Sequence, residues 1–391
     1  RLCLGKELEL VVPFISTPVG GAFVSKEEVA QKQELYPLDM YQCQKCGHVQ
    51  LLDIINPKIL FSNYSYFSGR TTLIKHFAEY AEKIIYKNNL KQSSFIVDIG
   101  SNDGSFLQFF KNKNIKVLGI DPAENVAKFA NESGIETIPK MFNMDTAYEI
   151  REEYGPADII TANNVFAHTD DMIGMAKSVQ YLLAENGLFY FEVSYLVDVI
   201  DKMLLGTIFH EHLCYHTIKP LASFLRKQGL ELIDIERVPI QGGSIIGVAQ
   251  RLGGQHYLSP TVRQLIELEE SLGMYTPGYF QAFVNKLDTT KSEVTAIIRK
   301  IKAEGKKIAA FGAARGGTLL TYLFECGQDI EYIVDDDPQK QNFFSPGYHL
   351  PVLPTSTIYE QHPDYVLILA WVHSKSIIEK NQQYLEQGGH F

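Results

Sequence analysis

The stretch VDIGSNDGSFL, residues 97–107, limits what this chain can become more than any other part of it. An apolar run, FIVDIG (95–100), ends on Asp98-Ile99-Gly100; Gly104 follows four residues later and a helical pattern begins. Glycines at such places let the backbone approach a ligand closely, and a helix start offers free N–H groups. Further apolar runs follow, KVLGID (116–121), ADIITANNV (157–165) and GLFYFEVS (187–194), with helical patterns between them. Short apolar strands alternating with helices predict a parallel sheet covered on both faces. Residues 230–251 read instead as two strands around a Gly-rich turn, an antiparallel edge. A long charged helical stretch is expected over 260–304. KIAAFGAARGGTLLTYL (307–323) then starts a second strand–loop–helix unit, continued by IEYIVDDDP (330–338) and PDYVLILAW (363–371).

The loop is not G-x-G-x-x-G, because position 102 is Asn, and a pyrophosphate cradle is disfavoured. An acidic residue before the first glycine, with Asp121 closing the next strand, fits S-adenosylmethionine better. Asp121 would accept hydrogen bonds from the ribose hydroxyls, as acidic residues do in other nucleotide folds. Asp98 or Asp103 would face the cationic end. Asp98, Gly100, Asn102, Gly104 and Asp121 are therefore cofactor candidates; the bland alternative is a generic α/β turn with stray aspartates.

Residues 1–68 have a different texture and hold three of the five cysteines. Cys43-x-x-Cys46-Gly has the spacing of a zinc knuckle, in which two thiolates face one metal. Cys3 is the remaining thiol in that region. A cysteine just before Arg1 would complete four ligands, and the missing initiator Met leaves room for that expectation; His48 is a weaker fourth ligand. Buried structural thiols or a redox pair are the alternatives.

Length predicts two or three domains. The net charge of −10 argues against nucleic acid as the main partner, though a local cationic patch would still admit an anionic substrate. No apolar run reaches the roughly 18 residues a membrane helix needs, and RLCLGKELEL lacks the order of a secretory signal. Five cysteines do not suggest a disulfide scaffold, so a reducing cytoplasm is expected. A monomer is expected.

FHEHLCYH (209–216) packs three histidines and a glutamate into eight positions. It reads as a metal site, a general base with its orienting partner, or a polar strand end. H-E-x-x-H is not met, because Cys214 occupies the second histidine's place.

These motifs, in this order, resemble the S-adenosylmethionine-dependent C-methyltransferases of deoxysugar-nucleotide biosynthesis. The likeness takes in YPLDMYQCQKCGHVQL, FSNYSYFSGRT (61–71), VDIGSNDGSFL, ANNVFAHTDD (162–171), FHEHLCYH, GGS (242–244), GAARGGTLLTYL, DDDPQKQNFFSPGYHLPV and LILAW. It implies an α/β protein in three parts: a zinc-binding lobe (1–68), a central Rossmann-like methyltransferase domain (69–255) and a C-terminal α/β lobe (256–391) closing on the sugar nucleotide. It implies methyl transfer to a carbon beside the ketone of a nucleoside-diphosphate 4-keto-6-deoxy sugar. Such chemistry needs a base to make the carbanion and a way to hold the enolate oxygen. The resemblance places the base at His212, an imidazole whose pKa near 7 would let it take and return a proton, with Glu211 as a second ionisable group beside the sugar. Arg315 would meet a phosphate. The family usually has Tyr where this chain has Phe209, so Tyr215 or His210 would have to serve in its place, or the sugar differs.

Asn163 would meet the cofactor and Asn164 and His168 the sugar, since all lie at or past a strand's carboxyl end; an Asn in a turn and a His near a helix start are equally good readings. Tyr64, Tyr66, Ser68 and Arg70 would close over cofactor and diphosphate, Arg70 as a phosphate ligand or as a plain surface residue. Two rival classes stand beside this. A dehydrogenase would use Gly312-x-x-x-Gly316-Gly317 and Asp335 for NAD(P), although the spacing is wrong. A binding module would use the zinc lobe to recruit a protein. A methyltransferase with another small acceptor is the nearer alternative.

Overall fold

The computed structural model describes residues 1–391 apart from 57–59, 61–66, 71, 72 and 277, and of Arg70 the backbone only. Tyr64, Tyr66 and the Arg70 side chain therefore lie outside the described residues. The chain opens with β1 (Leu8–Val12), β2 (Met40–Cys43) and β3 (Val49–Leu51), joined antiparallel. Helix α1 (Leu73–Lys87) follows, burying Phe77, Tyr80, Ala81 and Ile84 at helical spacing.

The central sheet is built from β4 (Phe95–Ile99), β5 (Lys116–Ile120), β6 (Thr137–Ile138), β7 (Ala157–Asn163) and β8 (Leu183–Ser194), all parallel. All five residues of β4 are buried, which is why Phe95, Ile96, Val97 and Ile99 are apolar without alternation, Asp98 being the one polar residue. Between β4 and its cofactor-loop helix α2 (Ser105–Lys111), Gly100 and Gly104 take φ of 67° and 76°.

The chain then leaves the sheet. β9 (Cys214–Tyr215) pairs with β3, so a segment of the central region completes the N-terminal sheet in the order β1-β2-β3-β9. FHEHLCYH is thus a turn leading into a strand of another sheet, not the end of a central strand. Helix α3 (Ile218–Lys227) returns the chain to β10 (Leu230–Val238) and β11 (Ser244–Arg251). β11 inserts antiparallel between β8 and β10, giving β10-β11-β8-β7-β4-β5-β6. Strand order reverses at β4 and β7, and ligands bind at the carboxyl ends of strands beside such a switch.

The stretch expected as one helix over 260–304 is two, α4 (Thr261–Ser271) and α5 (Tyr279–Ala303). Between them Gly273 turns left-handed (φ 73°) and the chain drops onto the N-terminal lobe. There the Met274 carbonyl accepts Gln42 Nε2 at 3.0 Å, and the Tyr275 ring lies against Gly47. Buried Glu269 on α4 accepts from the Tyr195 and Tyr275 hydroxyls (2.9 and 2.6 Å) and from the Ile218 and Lys219 N–H groups (2.6 and 3.1 Å). It caps α3, whose first N–H groups have no partner within the helix.

The last sheet is parallel, β14-β13-β12-β15, from β12 (Ile308–Phe311), β13 (Ile330–Val334), β14 (Val352–Leu353) and β15 (Tyr365–Ile368). Helix α6 (Arg315–Leu323) follows β12. Among the described residues no helix is long and apolar enough to cross a membrane.

Candidate active site and metal site

The cofactor loop is held from both sides. Asp121, just past β5, accepts the N–H of Asn102 and of Ala123, each at 2.9 Å, one on each oxygen. Asp98 is buried and takes the Thr161 hydroxyl at 2.6 Å. Burial drives its pKa up to about 7, opposed by the Thr161 bond. Asp103 is committed elsewhere, its oxygens accepting Gly69 N–H at 2.8 Å and Ser105 N–H at 3.2 Å. Ser68 N–H donates to Asn102 Oδ1 at 2.9 Å, so the segment 68–70 sits on the loop. Of the two aspartates weighed for a cationic ligand, Asp98 is the one not spent on backbone. The Ser101 hydroxyl and both amide atoms of Asn163 are buried without a protein partner among the described residues, as a site built for a polar ligand requires.

One segment links this loop to FHEHLCYH. Asn164 is left-handed (φ 56°), and its N–H donates to Glu192 O at 2.8 Å. Val165 packs on Gly100 so closely that a Cβ at 100 would come within 2.3 Å of it. His168, three residues on, lies 4.9 Å from His212 between ring centroids. The segment from Val165 to His168 therefore joins the cofactor loop to the histidine cluster.

His212 is pinned by the turn, its N–H donating to Phe209 O at 2.9 Å, and by Cys214 N–H, which donates to Ala167 O at 3.0 Å. Its ring stands 4.1 Å from that of Phe209 and lies beside the Thr207 backbone. Burial pulls its pKa down to about 4, against the Thr207 backbone and with help from Arg315 and His216. This corrects the expectation of a value near 7: the imidazole is neutral at physiological pH, with one nitrogen donating and the other accepting. His168 is likewise pulled well below the usual range by burial, then by His212 and Arg315.

Glu211 is 4% exposed, and its carboxylate pairs with Arg315 Nε at 2.8 Å. Arg315 opens α6 in the C-terminal lobe, and glycines make that reach possible. A Cβ on Gly316 would strike Gly206 O at 2.3 Å, and one on Gly20 would meet Arg315 O at 2.7 Å. The second Gly-rich loop is thus occupied by contact with the two other lobes. Asp335, closing β13, takes Ala313 N–H at 2.7 Å and Asp337 N–H at 2.9 Å.

His168, Glu211, His212 and Arg315 come together from three separate motifs. His210 turns the other way, its Nε2 lying 3.2 Å from Tyr36 O. The Tyr215 ring is buried beside the Phe209 backbone. Sequence reading missed Glu192 and His76, which meet at 2.5 Å across β8 and α1. A glutamate inside the apolar run GLFYFEVS was the available signal.

The sulfurs of Cys3, Cys43 and Cys46 lie within 4.8 Å of one another, with Cys3 and Cys43 3.5 Å apart. Tetrahedral zinc with bonds of about 2.3 Å needs edges of about 3.8 Å, so the three thiols fit structural zinc. Among the described residues no other His, Cys, Asp or Glu joins them. His48, the weaker fourth ligand, instead stands against His216 at 5.5 Å. Nor do the imidazoles of FHEHLCYH gather a ligand set among the described residues.

The switch point beside β4, the glycine loop after it and the reversed β11 define a methyltransferase domain, and the profile of a methyltransferase domain family matches residues 70–235. Profiles described as a zinc binding domain and as a C-methyltransferase C-terminal domain match residues 1–61 and 239–391. C-methyltransferase NovU of Streptomyces niveus is 32% identical over 395 residues, covering 100% of this chain and 94% of that protein. The chain belongs to this family of C-methyltransferases and is an S-adenosylmethionine-dependent enzyme. Solved structures similar in part include an S-adenosylmethionine-dependent methyltransferase from Clostridium acetobutylicum ATCC 824 (15% identity, 46% of this chain and 92% of that one, TM-score 0.38). Another is magnesium protoporphyrin IX methyltransferase from Synechocystis PCC 6803 (15% identity, 46% and 83%, TM-score 0.36).

Proposed function

We propose that this enzyme methylates a carbon α to the ketone of a nucleoside-diphosphate 4-keto-6-deoxy sugar through a base-generated enolate. The observation that carries the reading is His212: a neutral, buried imidazole, joined to the cofactor loop by the segment that runs from Val165, packed on Gly100, to His168, 4.9 Å from the His212 ring. When bound, S-adenosylmethionine supplies an electrophilic methyl whose leaving group departs neutral. Asp98 receives its cationic end and Asp121, through its remaining lone pairs, its ribose. Gly100 and Gly104 let the backbone approach it, with Asn102 and Asn163 lining the same loop region.

His212 removes the α-proton at its accepting nitrogen, the other nitrogen keeping its N–H. The nearby guanidinium of Arg315 and the ring of His168 border the developing charge. Glu211 holds Arg315 in place across the lobe boundary, and Arg315 in turn faces the anionic acceptor. Ser68, whose N–H rests on Asn102, and Asn164 would contact cofactor and diphosphate, a role the sequence also assigns to Tyr64 and Arg70, and His210 braces the turn from the Tyr36 side.

The test incubates a panel of thymidine- and guanosine-diphosphate 4-keto-6-deoxy sugars with S-adenosylmethionine in deuterated water and weighs the products. Gain of one methyl, with deuterium exchange at a carbon flanking the ketone, supports the enolate route and names C3 or C5. No gain on any member, with S-adenosylhomocysteine still bound, removes this acceptor class.

A further inference from the structure

The His76–Glu192 pair has no place in that mechanism. Glu192, on β8, is 1% exposed. Its Oε2 lies 2.5 Å from His76 Nε2 on α1, while its Oε1 is buried without a protein partner among the described residues. The same is true of both amide atoms of Asn163 and of the Ser194 hydroxyl. Asn163 stands opposite Glu192 in the β7–β8 register. The step of two to Ser194 keeps that residue on the same face of the strand. Thr161, two residues before Asn163, holds Asp98, so this is the face that carries Asp98. Four unpartnered polar atoms gathered on one sheet face are not how a buried surface is finished, since such groups are hydrogen-bonded as a rule.

Strand order says which ligand this row meets. The cofactor loop leaves β4; β7 lies next to it and β8 one strand further. Strands are about 4.8 Å apart, so Glu192 stands about 10 Å across the sheet from that loop, on the side away from β5 and Asp121. We infer that Glu192, oriented by His76 and flanked by Asn163, is a specificity residue that receives a hydrogen-bond-donating substituent of the acceptor, a hydroxyl or an amino group on the sugar ring. This rests on the acceptor class proposed above. A carboxylate only accepts hydrogen bonds, so it favours an O–H or N–H and gives nothing to a ring position that lacks one. His76 occupies one carboxylate oxygen and leaves the other for the ligand.

Glu192→Gln keeps the shape of the side chain and removes its charge. Wild type and variant are compared on acceptors that carry or lack a hydroxyl or amino group beside the keto carbon, with the Kd of S-adenosylhomocysteine measured alongside. For acceptors bearing the donor, KM in the variant rises roughly tenfold, the scale of one charge-assisted hydrogen bond. Acceptors lacking it are unchanged, and the S-adenosylhomocysteine Kd moves by no more than about twofold. A weaker S-adenosylhomocysteine Kd with an unchanged KM would give the carboxylate to the cofactor's ammonium group and overturn the inference. Equal loss on every acceptor, or a lower Tm with unchanged kinetics, would make the pair a structural tie and overturn it too. Failure of the wild type on every acceptor removes the acceptor class first, and the subsite with it.

Discussion

His212 and Asp98 carry opposite pKa shifts from the same cause, burial, and each makes a separate test possible. The imidazole must be neutral to take a proton, and its pKa sits near 4. We predict a kcat profile flat from pH 6 to 8 with no acid limb near 6.5. His212→Asn should lower turnover at least a hundredfold while S-adenosylhomocysteine still binds, the usual scale for losing a positioned base. Wild-type turnover in that variant would move the base to another residue. The Asp98 pKa lies near 7, and a cationic ligand would lower it. Binding then releases a proton, so S-adenosylhomocysteine affinity should rise as pH rises through 7 and weaken below it; calorimetry at pH 6 and 8 measures this, and Asp98→Asn should flatten it. The same sign applies to the free protein: what protonated Asp98 adds to stability is complete below 3.8 and is lost as pH rises through 7. Residue identities of this kind were readable in sequence because Asp-x-Gly and His-Glu-His are short motifs. The His76–Glu192 pair was not, because its members are far apart in sequence and meet only when α1 docks.

At the scale of elements, glycines decide how α6 meets the rest. Gly316→Ala places a Cβ against the Gly206 backbone, which cannot move as a flexible side chain would. We expect kcat/KM to fall, because the shift carries Arg315 away from Glu211, while S-adenosylhomocysteine binding stays as it was. The stability cost should be about 1–3 kcal/mol, typical of overpacking, read from chemical denaturation. Glu269→Ala tests a different joint. It strips four donors of one buried acceptor and uncaps α3, so it should cost about 3 kcal/mol or more. Strands buried on both faces were legible as apolar runs, as was the α6 unit. The break between α4 and α5 was not read, although Gly273, Pro277 and Gly278 punctuate the stretch, because what the turn docks onto, Gln42 and Gly47, lies in another lobe.

At the scale of the whole molecule, metal and catalysis are connected through backbone. The knuckle at Cys43 and Cys46 joins β2 to β3, β3 pairs with β9, and β9 begins two residues after His212. Metal analysis should find about one zinc per chain. Stripping it with a chelator should lower turnover more than S-adenosylhomocysteine affinity, since the cofactor loop hangs on a different sheet; equal loss of both would contradict that chain of contacts. Two-residue β9 could not be read in the sequence, because so short a strand is defined by its partner and not by its own pattern. Its pairing has a consequence for synthesis. The N-terminal lobe leaves the ribosome first, yet its sheet cannot be finished until Cys214 and Tyr215 have been translated. Until then β3 presents an open edge beside a metal site, and the lobe must wait, half-built, through most of the methyltransferase sheet. Cutting the chain between the lobes to express them separately would make that waiting state permanent.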